Sequence, residues 1–141
     1  MRQMTADEYR AFLRERPRTA KLATVRADGR PHIAPIWFDL DGDALVFTTW
    51  HTTVKAANIR RDPRVSLCVD EDAPPFSFVI LEGAATLSEE PAALLHWATR
   101  IAGRYMGSAQ AEAYGRRNGV PGELLVRVTP TRVVAQANIA D

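Results

Sequence analysis

The chain has 141 residues, enough for one domain with a substantial core and too few for two. Eighteen basic against seventeen acidic side chains leave a formal net charge of +1. No run of like charge reaches five, which argues against a broad electrostatic footprint for nucleic acid.

No apolar stretch approaches membrane-spanning length, and residues 1–8 lack the apolar centre of a signal peptide, so a cytoplasmic protein with no membrane partner is expected. Cys68 is the only cysteine, which excludes an internal disulfide and a four-cysteine zinc site. Its apolar surroundings, Val65-Ser66-Leu67-Cys68-Val69, predict a buried, inert thiol.

In chain order, residues 5–16 read as an amphipathic helix with Tyr9, Phe12 and Leu13 on one face, ended by Pro17. A strand over 19–26 turns at Ala27-Asp28-Gly29-Arg30 into a second over 31–40, because Asp-Gly is a hairpin signal. Asp41-Gly42-Asp43 turns into a third strand over 44–49. A short helix then begins near Thr52 or Thr53, whose hydroxyls can cap free amides. It stops at Asp62, because Pro63 disfavours helical geometry in the residue before it.

A fourth strand follows over 65–69, then an acidic, proline-bearing loop over 70–75 and a long strand over 76–87. Residues 89–104 read as a helix with Pro91 in its first turn and a stripe of Leu94, Trp97, Ile101 and Tyr105. A weaker helix over 107–117 leads to a turn at 118–122 and two closing strands, 123–129 and 131–137, separated by Pro130. Five to seven strands in hairpin order with a few short helices give an α+β, mainly β, single domain over 1–141, an antiparallel barrel.

No familiar catalytic set is present. His32, His51 and His96 have no metal-ligand spacing, and the nucleophile elbow, dinucleotide fingerprint and phosphate-binding loop are all missing, so no metal is expected. A bound cofactor is then the expected source of any difficult chemistry.

The segment from Thr48 to Val65 is the most informative. Hydroxyls, open amides and Lys55 at a helix start form a natural anion site, although a solvated basic helix with an ordinary cap shows the same pattern. On the second strand, alternation sends His32, Ala34, Ile36 and Phe38 to one face and Ile33, Pro35, Trp37 and Asp39 to the other. Pro35 cannot donate to a ladder. A planar ring could lie along this backbone near Trp37; equally, Ile36 and Trp37 could be core with Pro35 blunting an edge.

Three stretches, Leu22-Ala23-Thr24-Val25 through Asp28-Gly29-Arg30-Pro31, Lys55-Ala56-Ala57-Asn58-Ile59-Arg60-Arg61-Asp62-Pro63-Arg64, and Val79-Ile80-Leu81-Glu82-Gly83-Ala84-Ala85, carry a resemblance over roughly residues 5–137. In this order they resemble the FMN-binding split-barrel superfamily that includes pyridoxamine 5′-phosphate oxidase. Within it, the chain looks most like the deazaflavin-dependent oxidoreductases that use coenzyme F420. The resemblance implies a homodimer with each cofactor in a groove between protomers.

By that likeness Lys55, helped by Thr53, would hold the cofactor phosphate, and Thr48, Thr49 and Trp50 would line the ribityl chain and ring edge. Ala34, Pro35, Ile36 and Trp37 would lie along the tricycle with His32 nearby, Asn58 would belong to the same set, and Phe76 and Phe78 would come from the other subunit. The implied activity is hydride transfer from F420 to a small conjugated organic acceptor. An FMN-dependent oxidase or reductase and a non-catalytic F420 carrier are the alternatives.

Two departures from the FMN oxidases disfavour vitamin oxidation: Val54 stands where they have an arginine, and the C-terminus lacks their arginine- and tryptophan-rich motif. Some deazaflavin relatives have a second basic residue in place of Thr53, so Arg61 is a candidate to share the phosphate. No residue is assigned a catalytic role. Solvent, His32 and His51 remain open as proton sources.

Overall fold

The computed structural model describes all residues, 1–141. Its elements are β1 (Arg2–Gln3), α1 (Ala6–Glu15), β2 (Ala20–Val25), β3 (Pro31–Ile36), β4 (Asp39–Asp41), β5 (Ala44–Trp50) and α2 (Val54–Arg61). These are followed by β6 (Arg64–Asp70), β7 (Phe78–Ser88), α3 (Pro91–Met106), α4 (Ala111–Asn118) and β8 (Glu123–Ala137). No helix is long and apolar enough to cross a membrane.

All eight strands join one antiparallel sheet in the order β3-β2-β6-β7-β8-β5-β4, with β1 added to β8. The path does not close, because β3 and β4 are not paired with each other. This is an α+β split barrel. Helix α2 packs against β2 and β5, the second strands in from the two ends, and so bridges the open seam. Leu22, Leu45, Phe47, Leu67, Leu81 and Val126 point inward and are fully buried. Each such side chain contributes about 1.5–3 kcal/mol of burial free energy.

Two strand boundaries differ from expectation for physical reasons. The expected strand over 31–40 breaks at Trp37-Phe38. There the Phe38 amide donates to the Tyr105 hydroxyl at 3.2 Å, and that hydroxyl donates to the Arg18 carbonyl at 2.6 Å. A side chain from α3 thus replaces a ladder partner. The break also resets the alternation, so Asp39, expected on one face with the exposed Ile33 and Trp37, is buried, with Oδ1 accepting from the Leu40 amide at 2.7 Å.

The two expected closing strands are one continuous β8, bulged rather than broken at Pro130. Its register against β7 slips between Glu82, opposite Arg132, and Gly83, opposite Pro130. A bulge suits a residue with no N–H to donate. Gly83 is needed there, since a Cβ would lie 2.2 Å from the Thr129 carbonyl oxygen.

The helix caps follow the expected chemistry. Thr5 and Glu8 form a reciprocal capping box on α1. Glu90 accepts from the Ala92 and Ala93 amides at the head of α3. Its buried stripe is Leu94, Ala98, Ile101 and Ala102, whereas Trp97 and Tyr105 stay half-buried at its flanks.

Candidate functional site

The site forms where the seam meets the head of α2. Thr53 caps this helix, its Oγ1 accepting from the Ala56 amide at 3.2 Å and lying 2.8 Å from Thr49 Oγ1. The amides of Val54 and Lys55 have no acceptor within the chain. Beside them lies a cavity of about 380 Å³. One wall is the frayed end of β3, Pro35, Ile36 and Trp37, and another is the end of β5, Thr48, Thr49 and Trp50. Thr53 and Lys55 complete the α2 side.

Helix α3 supplies Ala98, Ile101 and Ala102, and Asn118 and Glu123 line the remainder. The small alanines leave room that a larger stripe would fill. Sequence reasoning missed these five residues. The Ala98/Ala102 pair, four apart on a buried face, was a readable sign; nothing local marks Glu123.

Two larger hollows lack the same chemistry. One of about 570 Å³ is bordered by Arg16, Arg18 and Lys21, and all three are in ion pairs. The other, about 540 Å³ along β2, β6 and β7, holds Arg64, which is clamped to Asp62 at 2.8 Å. Lys55 has neither an ion pair nor a hydrogen bond. Two buried polar atoms near it are also unpartnered, His32 Nδ1 and Glu123 Oε2.

Burial, then the positive charges of Arg26 and Lys55, pushes the His32 imidazole below its ordinary value, which favours the neutral ring. Burial pushes the Glu123 carboxyl up, against the pull of Lys55. Both groups therefore feel the Lys55 charge.

The aromatic walls are held from behind. Trp37 stacks on Tyr105 with ring centroids 5.0 Å apart and planes 4° from parallel. Burial raises the Tyr105 phenol above its ordinary value, so it remains a hydrogen-bond donor at neutral pH. Trp50 lies over Gly122, where a Cβ would come within 2.3 Å of the indole ring and φ is +102°. Only glycine suits both demands.

Other expected residues lie elsewhere. Ala34 and His32 follow the inward face of β3 but do not line the cavity. Asn58 is buried below it, its Nδ2 donating to Thr24 Oγ1 at 3.0 Å and its Oδ1 accepting from Arg61 at 3.1 Å. Arg61 also donates to the Val25 carbonyl, so it braces α2 against β2 and is not on the cavity wall. Phe76 and Phe78 border a separate apolar hollow with Ile80, Ile139 and Cys68. Cys68 is half-buried rather than fully buried, and burial followed by Asp70 raises its thiol above the ordinary value, which leaves it unreactive.

Residues 5–137 match the Pyridoxamine 5′-phosphate oxidase family. The chain belongs to that family. Among solved structures of similar shape, a conserved hypothetical protein of Mycobacterium tuberculosis is 28% identical, with a TM-score of 0.84 over 96% of this chain and 86% of that one. An F420 reductase is also 28% identical, with a TM-score of 0.68 over 87% of this chain and 94% of its own. A heme storage protein of Vibrio cholerae shares the fold at 19% identity, with a TM-score of 0.74 over 98% of this chain and 100% of that one. Membership of the pyridoxamine 5′-phosphate oxidase family thus accounts for the split barrel.

Proposed function

We propose that this protein is a deazaflavin-dependent reductase that binds coenzyme F420 and reduces a small conjugated organic acceptor. The observation that carries the reading is Lys55, a cation without a partner at the head of α2, facing a cavity with two tryptophans on its walls. The 28% identity to an F420 reductase supports the choice of cofactor.

The residues present fit a phosphorylated ring ligand. Lys55 and the open amides of Val54 and Lys55 would hold the phosphate, with the helix start favouring negative charge. Thr48, Thr49 and Trp50 would line the chain that joins phosphate to ring. Trp37, fixed in orientation by Tyr105, offers a flat apolar face to a planar heterocycle. Ile36, Ala98, Ile101 and Ala102 exclude water from the far end of the cavity.

When bound, the deazaflavin supplies the hydride. The protein's own part is to hold donor and acceptor in contact and in orientation. His51 is exposed in the turn before α2, and His32 is a half-buried imidazole within reach of the Lys55 charge. Two copies pair through the outside of the barrel, where Ile33 of β3 and, beside the strand ends, Phe76 and Ile139 stand exposed, each copy completing the other's groove with Phe76 and Phe78.

Titration of the purified chain with F420 and with FMN tests the reading, and the visible absorption of the loaded protein tells the two apart. F420 is expected to bind more tightly; binding of neither cofactor would remove the proposal. Turnover of a panel of enones, quinones and tetrapyrroles by the F420-loaded protein would exclude a carrier role. A monomeric mass in solution would remove the shared groove.

A further inference from the structure

The cavity beside Lys55 has a second side that a phosphate does not use. Helix α3 gives it Ala98, Ile101 and Ala102, and the last residue of α4, Asn118, lines it as well. Close packing fixes that placement. A Cβ on Gly115 would lie 2.1 Å from the Thr99 hydroxyl, and one on Gly119 would lie 2.9 Å from the Leu95 Cα. Helix α4 therefore runs back along α3 at short range, and it carries Asn118 to the stretch between Leu95 and Thr99, where Ala98 sits.

The Asn118 carboxamide has no duty in the fold. The helix is ended by Gly119, whose amide donates to the Gly115 carbonyl at 2.7 Å. The half-buried Asn118 side chain makes no hydrogen bond within the chain, and neither of its polar atoms is sealed from solvent. It is the one carboxamide on the cavity wall, next to the alkyl groups of α3.

We propose that this side of the cavity is the acceptor subsite, where the Asn118 amide N–H holds the carbonyl oxygen of an α,β-unsaturated ketone. This rests on the reading of the protein as a deazaflavin reductase and names the class of acceptor that reading leaves open.

The walls select the class. Their only cation, Lys55, is taken by the phosphate, so an anionic acceptor finds no counter-charge beside α3. A quinone has carbonyls at opposite ends; Asn118 would satisfy one and leave the other against alkyl groups. An enone has one strong acceptor atom on a flat, otherwise apolar frame. The same N–H favours the chemical step. As a hydride from the reduced deazaflavin bonds to the β-carbon, the C=C pair moves towards oxygen, which gains negative charge against Asn118. A solvent proton on the α-carbon completes the saturated ketone, and the deazaflavin is left oxidised.

The test loads the full chain with oxidised F420, which has no hydride to give, and titrates it with cyclohexenone and with cyclohexene, the same ring without the carbonyl. Amide chemical shifts follow the binding. The wild type should prefer the enone. In Asn118→Ala, enone affinity should fall about two- to tenfold, the range for a neutral hydrogen bond. Cyclohexene and F420 affinities should hold. Asn118→Asp keeps the shape without the donor; it should lose at least as much, and it answers the question if the alanine variant does not fold. Ala98→Leu fills the subsite and should weaken both ring probes.

No preference for the enone in the wild type, an unchanged enone affinity in both Asn118 variants, or a loss of F420 affinity in them would overturn the Asn118 assignment while the reductase reading stands. Ring probes that bind Ala98→Leu as well as the wild type would put the acceptor elsewhere and overturn the subsite. Failure of the wild type to bind F420 would remove the reductase reading itself, and the acceptor with it.

Discussion

The two lysines of this chain stand in opposite kinds of surroundings. Lys21 sits where α1 leads into β2, and its Nζ meets Asp70 at 2.9 Å. Close by, Arg18 is sandwiched between Glu15 at 2.6 Å and Glu71 at 2.8 Å, with its guanidinium 4.0 Å over the Phe12 ring. Every cation there has an acidic partner. At the seam, Lys55 faces a cavity with no partner, flanked by a neutral-leaning imidazole and an unpaired carboxyl. Charge near the α1–β2 link is paired within the fold, and charge at the seam is left unpaired. A residue's type says little here; its unmet bonds say more.

The sharpest way to break this contrast is to exchange what each charge affects. Lys55→Ala should weaken cofactor binding by about 1.5–3 kcal/mol while leaving the denaturant midpoint unchanged. Unchanged affinity in the titration would take Lys55 out of the site. Glu71→Ala should do the reverse, lowering stability while leaving cofactor affinity unchanged, because Arg18 loses one of the two carboxylates that hold it. A urea melt within a few tenths of the wild type would show that the Arg18 cluster is ornamental.

Thr53 belongs to both worlds, as helix cap and cavity wall. Thr53→Ala should cost about 1 kcal/mol of stability through the lost cap, and chemical denaturation reads it directly.

The smallest effect sharpens the electrostatics. Burial makes the folded chain hold the Glu123 proton more tightly than the unfolded chain does, where the ordinary value is 4.5. Wild-type stability should therefore decline as pH rises from 4.5 through the raised folded value, because the folded state binds more protons in that window. Glu123→Gln removes this slope. Parallel stability curves for the two proteins from pH 4 to 8 would refute the assigned direction.

Much of this was readable from local sequence. Thr53 and Pro63 bracket α2 through capping and the pre-proline restriction, both of which act over a few residues. The alternation in His32-Ile33-Ala34 correctly separates the inward and outward faces of β3. What escaped depends on distant partners. The Trp37-Phe38 break needs the Tyr105 hydroxyl, 67 positions along the chain from Phe38. The continuity of β8 through Pro130 needs the bulge against Gly83, because proline alone reads as a stop. Glu123 becomes notable only when β8 is laid beside β5, since in the sequence it is an ordinary acid after a turn.

Gly122 leaves bare backbone beneath the Trp50 indole, and that has a practical corollary. That indole touches peptide and also lines the cavity, so its share of the emission colour and yield should register whatever arrives there. The molecule carries its own optical gauge of occupancy, with no label to attach.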